Sequence, residues 1–229
     1  MSKPIQFFMV RHGRTLFNQK RQMQGWCDAP LLEEGVAGAK RTGERLKDTE
    51  FVSAYSSDLR RAIETAQYIL EKNQSPSLVL QPIYELREQN YGVHEGDAII
   101  QTFATLFERK NVPLSEDHAA WSRVFEATDD IELVDYLREV DTMGTAENFD
   151  MLSQRLMKGY DRILKETQAK GGGNVLIVAH GGMLQASLRL LAKIDYKVEI
   201  RNCSVTILTY EGDAFSASCI DDVSHHEKM

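Results

Sequence analysis

Residues 5–13 read Ile5-Gln6-Phe7-Phe8-Met9-Val10-Arg11-His12-Gly13, an apolar run that stops abruptly at a guanidinium, an imidazole and a glycine. A short apolar run of this kind predicts a buried strand that delivers Arg11 and His12 onto a loop at its carboxyl end. The pattern recurs twice: Phe51–Ser56 ends at Ser56-Ser57-Asp58, and Asn174–Ala179 ends at His180-Gly181-Gly182. Each run is followed by a helical pattern, namely Leu31–Lys47 after a loop, Leu59–Glu71 with Asp58 as the expected N-cap, and Met183–Ala192. Strands that alternate with helices pair in parallel. Ligands of open α/β sheets bind beyond the carboxyl ends of the strands, so the three loops are expected to meet there.

Further along the chain, Cys203–Tyr210 and Ala214–Ile220 flank the turn Glu211-Gly212-Asp213. They predict a closing antiparallel hairpin, with the residues from Asp221 onward as a loose tail. Ala98–Lys110, Glu116–Ala127 and Ile131–Val140 read as short helices without intervening strands. They make a helical insertion at approximately 93–145 within a single domain spanning 1–229. Glu147–Gln168 is a long helical pattern terminated by Gly171-Gly172-Gly173.

Composition bounds the function. With 42% apolar and 27% charged residues in a chain of 229, this is a soluble globular protein rather than a disordered or fibrous one. No apolar run approaches the roughly 18 residues that span a bilayer, and Met1–Val10 lacks the basic start of a signal peptide. A cytoplasmic protein without membrane partners is expected. The net charge of −7 argues against nucleic acid as a partner. Its distribution is uneven: residues 1–47 hold nine Lys/Arg against four Asp/Glu, whereas Leu114–Asp150 holds eleven Asp/Glu against two Arg. The basic amino-terminal region suits a small anion. Cys27, Cys203 and Cys219 are odd in number and widely spaced, so reduced thiols are expected, with no disulfide framework, no metal knuckle and no nucleophile among them. Gly171–Gly173 precedes its strand and no P-loop motif occurs, which leaves nucleotide-driven chemistry unsupported.

Arg11-His12-Gly13 alone is only a tripeptide. Its companions are Thr15 and Asn18, Ser57-Asp58-Leu59-Arg60-Arg61-Ala62 with Glu64-Thr65-Ala66, Leu86-Arg87-Glu88-Gln89-Asn90-Tyr91-Gly92 with Glu95-Gly96, and Ala179-His180-Gly181-Gly182. Together these resemble the histidine phosphatase superfamily, from Ile5 to about Tyr210 and most weakly across Asp97–Asp141. The resemblance implies a three-layer α/β fold of the phosphoglycerate mutase-like type. Its mostly parallel central sheet is flanked by helices, and the helical insertion lies over the site. It also implies that His12 is a nucleophile that takes the phosphoryl group, that Glu88 is the acid and base, and that no cofactor or metal is needed. Arg11, Asn18, Arg61, His180 and Gly181 would hold the phosphate, and Arg14, Thr15, Gln24 and Gly25 the rest of a small phosphorylated substrate.

The chemistry agrees with those residue types. A phosphate monoester is a dianion, and planar, permanently charged guanidinium groups offset charge on its equatorial oxygens. His12 must be neutral to attack, and neighbouring cations favour that form. Glu88 stands four residues before Gly92, as the family's acid does before its glycine, and is preferred to Glu85. Arg61, which precedes Ala-x-x-Thr, is preferred to Arg60. His94, His118, His225 and His226 read as surface or supporting residues. Mutases of this superfamily follow Arg-His-Gly with Glu-Ser and carry an arginine after the catalytic glutamate. Here Arg14-Thr15 and Gln89 stand there, so phosphomonoester hydrolysis is favoured over phosphoglycerate mutase activity, with a non-catalytic phospho-ligand binder as a third reading. Phe103, Leu106 and Phe107 offer either a homodimer patch or a face buried on the core, and burial is preferred.

Overall fold

Side chains alternate across the first strand, β1 (Ile5–Arg11), and this alternation assigns helices to both of its faces. Phe8 and Val10 point into a cluster with Leu46, Ala62, Ala66 and Ile69. Phe7 stacks on Tyr160 with ring centroids 5.9 Å apart on the other side. The computed structural model of the protein describes residues 3–75 and 78–226. In chain order its elements are β1, α1 (Leu16–Lys20), α2 (Glu33–Leu46), β2 (Phe51–Ser57), α3 (Arg60–Leu70) and β3 (Leu80–Ile83). After these come α4 (Ile99–Thr102), α5 (Ala104–Arg109), α6 (His118–Glu126), α7 (Asp130–Val140) and α8 (Phe149–Ala169). The chain closes with β4 (Gly173–Ala179), α9 (Gly181–Ala192), β5 (Val205–Glu211) and β6 (Ala214–Asp222).

Packing divides the described residues into two compact units. The first contains the residues up to Leu16, Asp28–Glu88 and everything from Ser153 onward. Its six-stranded sheet has the order β3-β2-β4-β1-β5-β6. β3, β2, β4 and β1 are mutually parallel, while β5 and β6 are antiparallel, so the expected mixed α/β class with a mostly parallel sheet is found. α2 and α3 cover one face, and Tyr160 of α8 and Ser187 of α9 meet on the other through a 2.8 Å hydrogen bond. The register Ile5↔Gly173 through Arg11↔Ala179 brings β1 and β4 to the same level, so their loops leave the sheet side by side.

The second unit comprises Phe17–Cys27 and Gln89–Leu152. Its core gathers Met23, Phe103, Leu106, Phe107, Val124, Tyr136 and Leu137, with the Trp121 ring edge-on to Phe107. The three expected helical patterns are present, the first divided at Phe103 into α4 and α5. Phe103, Leu106 and Phe107 are buried, so they supply no exposed patch.

Three local readings need correction. Asp58 does not cap α3: the N-cap is Leu59, without a side-chain bond, because the Asp58 carboxylate is held by Arg87. The expected loose tail from Asp221 is not found over residues 221–226, since Asp221 and Asp222 extend β6 and Asp222 pairs with Arg45, and its last three positions lie outside the described residues. His225 is not a plain surface residue. Its Nε2 lies 3.0 Å from both Thr42 Oγ1 and the Cys203 carbonyl, and burial and neighbouring cationic groups push it down to about 4. β3 was not anticipated, since Pro82 interrupts an already short apolar run.

Candidate active site

Parallel pairing continues past the end of β1, where the His12 amide donates to the Ala179 carbonyl at 2.9 Å. The next residue along from Ala179 is His180, and the two imidazoles lie with centroids 5.2 Å apart. Both are buried. Their partners fix their tautomers. His12 Nδ1 lies 2.8 Å from the Gly13 carbonyl, which can only accept, so the proton is on Nδ1 and Nε2 carries a lone pair. His180 is the reverse case. Arg61 Nε donates to its Nδ1 at 3.2 Å, which leaves the proton on Nε2, a buried donor with no hydrogen-bond partner.

Burial, then the charges of Arg61 and Arg11, hold His12 well below the ordinary histidine value. His180 is lowered in the same way, by burial first and then by Arg61, His12 and Arg11. Arg61 is itself fully buried, and its Nη1 reaches Asp28 Oδ1 at 3.1 Å. Arg11 donates to the Ile200 carbonyl at 2.6 Å and runs alongside Gly181, where a Cβ would come within 3.4 Å of its guanidinium carbon. Asn202 donates to the His12 carbonyl at 2.9 Å, so the segment after Ile200 holds both Arg11 and His12. Gly13 lies so close to α2 that a Cβ there would stand 2.6 Å from the Gly35 carbonyl oxygen. Its amide donates to Thr65 Oγ1 at 2.9 Å, and Thr65 donates in turn to the Arg61 carbonyl at 2.7 Å.

Glu88 joins this group through the amino terminus of α9. Its Oε2 accepts from the Gly182 amide and its Oε1 from the Met183 amide, each at 2.8 Å. Free N–H groups and the helix dipole both favour a carboxylate there. Glu85 is directed elsewhere, to Lys158 at 3.3 Å, and Arg60 pairs with Glu64 on the surface. In the first unit the structure therefore brings together Arg11, His12, Arg61, Glu88, His180 and Gly181. Arg14 turns to Glu34 at 2.7 Å and Thr15 is buried in a bridge to Leu31.

Asn18, Gln24 and Gly25 belong to the second unit. Asn18 lies in α1, Gln24 is buried, and the Gly25 amide donates to Glu95. Glu95 accepts as well from Trp26, Cys27 and Tyr91 at 2.7 to 3.1 Å, which fixes that loop. Gln89 is buried and donates to the Val134 and Glu147 carbonyls at 3.0 and 2.8 Å. Asp28, Asn202 and the Asp58–Arg87 pair were missed as supporting residues. Asp28 follows the Gly25-Trp26-Cys27 stretch, but its partner Arg61 is far away in sequence. Among the described residues no group of three or more His, Cys, Asp or Glu side chains is arranged to hold a metal ion. All three cysteines are free thiols, and burial pushes Cys203 up to about 12.

The chain belongs to the histidine phosphatase superfamily: the family model of its branch 1 matches residues 7–223. Members of this superfamily are enzymes of two kinds, phosphatases and mutases, that act on small phosphorylated substrates. Both kinds stand among the relatives. The chain is 28% identical to the metal-independent phosphoserine phosphatase of Arabidopsis thaliana over 98% of its own length and 84% of that protein. It is also 28% identical to the 2,3-bisphosphoglycerate-dependent phosphoglycerate mutase of Blochmanniella floridana, over 91% and 93% respectively. The solved structure of phosphoglycerate mutase from Bacillus anthracis str. Sterne matches with a TM-score of 0.89 at 32% identity, covering 98% of this chain and 96% of that one. No helix among the described residues is long and apolar enough to cross a membrane.

Proposed function

We propose that this protein is a phosphomonoester hydrolase that works on a small phosphorylated metabolite through a phosphohistidine on His12. The observation that carries the proposal is the opposed pair of tautomers, a buried lone pair on His12 Nε2 beside an unpartnered N–H on His180 Nε2. One nitrogen attacks and the other binds the anion. Arg11 and Arg61 supply fixed positive charge for the equatorial oxygens, and burial first, then that same field, keeps His12 unprotonated.

The His12 Nε2 lone pair forms the P–N bond as the ester P–O bond breaks, and the departing oxygen takes a proton from Glu88, which holds that proton against the pull of the α9 amides only while the substrate's phosphate dianion is beside it. Water then gives its proton back to Glu88 and attacks phosphorus. The P–N bond breaks and inorganic phosphate leaves.

Two contacts support hydrolysis over isomerisation. Gln89, at the position where mutases carry a carboxylate-binding arginine, directs its amide to main-chain carbonyls, and Arg14 is engaged by Glu34. The test is to give purified protein 3-phosphoglycerate with a trace of 2,3-bisphosphoglycerate, alongside a panel of phosphometabolites. Release of inorganic phosphate that is lost in His12→Ala is the expected result. Fast isomer interconversion without phosphate release would make it a mutase, and no turnover of any ester would leave a phospho-ligand binder.

A further inference from the structure

Two arginines fix the segment that ends in Glu88. Arg155, from α8, donates to the main-chain carbonyls of Glu85 and Arg87 at 2.9 Å and to that of Glu88 at 3.0 Å. Arg87 reaches instead to the loop after β2, where its Nε and Nη2 meet the two carboxylate oxygens of Asp58 at 2.6 and 2.8 Å. Arg87 directly precedes Glu88, and Asp58 stands three residues before Arg61. The contact therefore ties the segment of the proposed proton donor to the segment of the proposed phosphate-binding arginine. A two-pronged guanidinium–carboxylate contact fixes angle as well as distance.

The Arg87 and Asp58 side chains are 25% and 29% exposed, and the two-pronged geometry that lets such a pair add to stability also fixes where its two segments sit. Asp58 stands one residue before Leu59, the N-cap of α3, and that helix starts without any side-chain bond. A carboxylate held by the residue next to the acid, while the adjacent helix start has no side-chain cap, fits a role in placement.

We infer that Asp58 and Arg87 are positioning residues for proton transfer, setting Glu88 against Arg61 so that its proton meets the leaving oxygen. The inference rests on the hydrolase reading above. An alkoxide needs the proton as it leaves, whereas p-nitrophenolate leaves without one. Loss of the pair is thus felt selectively.

The experiment measures kcat and KM for the best alkyl phosphate of the panel and for p-nitrophenyl phosphate in Asp58→Asn, Arg87→Gln and the double variant. Each is repeated in a Glu88→Gln background. Misplacing a reacting group by about 1 Å costs up to about a hundredfold, so each single variant is expected to lower kcat for the alkyl ester by about ten- to a hundredfold. p-Nitrophenyl phosphate should change little, the double variant should match the singles, and Asp58→Asn should cost nothing further once Glu88 is glutamine. Asp58→Glu, which keeps the charge and lengthens the arm, gives the same selectivity at smaller size should the neutral variants fail to fold. Equal losses on both esters, no loss, or losses that multiply with Glu88→Gln would overturn the inference while leaving the hydrolase intact. A Glu88→Gln variant as fast as the unaltered protein on the alkyl ester would remove Glu88 as the proton donor and the inference with it, whereas failure of the unaltered protein to release phosphate from either ester would remove the hydrolase reading itself.

Discussion

His12 and His180 illustrate how a single hydrogen-bond partner decides what an imidazole can do. A carbonyl on Nδ1 leaves one ring a lone pair at Nε2, and a guanidinium on Nδ1 leaves the other a donor at Nε2. Because both groups are held well below the ordinary value of 6.5, the folded chain binds fewer protons than the unfolded chain once the pH drops beneath that value. Their contribution is complete above about pH 6.5 and declines on acidification from there toward the depressed folded values, by about 1 kcal/mol per histidine over the first pH unit. Urea denaturation at pH 7.5 and 5.5 checks this. The unaltered protein should lose more stability across that interval than a His12→Asn, His180→Asn variant, and equal losses would contradict the electrostatics described. The same depression predicts that His12 stays competent to attack at mildly acidic pH.

At the scale of elements, the site depends on how closely α2 approaches the loop after β1. Gly13 and Gly35 face each other there, and a Cβ on Gly35 would collide with the Arg14 main chain, a rigid neighbour that cannot swing aside as a side chain could. Gly35→Ala is therefore expected to destabilise the fold by about 1–3 kcal/mol, the usual cost of forced overpacking, with activity falling as the His12 loop shifts. Chemical denaturation together with phosphatase assays measures both. A fully stable and active variant would mean that the loop yields without consequence. The elements themselves were largely readable. β1, β2 and β4 stood out because buried parallel strands are continuous apolar runs that end abruptly in polar residues. β3 did not, because a four-residue edge strand containing Pro82 carries almost no pattern. The cap at Asp58 was misread because local rules favour aspartate before a helix, and its actual partner, Arg87, is chosen by tertiary structure.

At the scale of the molecule, Arg11, His12, Arg61 and His180 were legible because they sit at strand ends or a helix start whose convergence follows from parallel topology, whereas Glu88, in the loop beyond β3, was legible only through the family's spacing of its acid to a glycine. Residues that act through long-range contacts were not. Asp28 and Asn202 declare themselves only once Arg61 and His12 are in place, and His225 only once β6 has been traced to the edge of α2. The division into units was equally hidden, since Phe17–Cys27 packs with Gln89–Leu152 across a large sequence gap. The acidic segment Leu114–Asp150 falls wholly in that second unit, which leaves the unit carrying His12 the more basic part of a chain with net charge −7. The most direct test of the account is rapid quenching of the protein with a radiolabelled phosphate ester. Label should appear on His12 as an adduct stable to base and labile to acid, be discharged by water, and vanish in His12→Ala. Turnover without any protein-bound phosphorus, or label that persists when His12 is replaced, would contradict it.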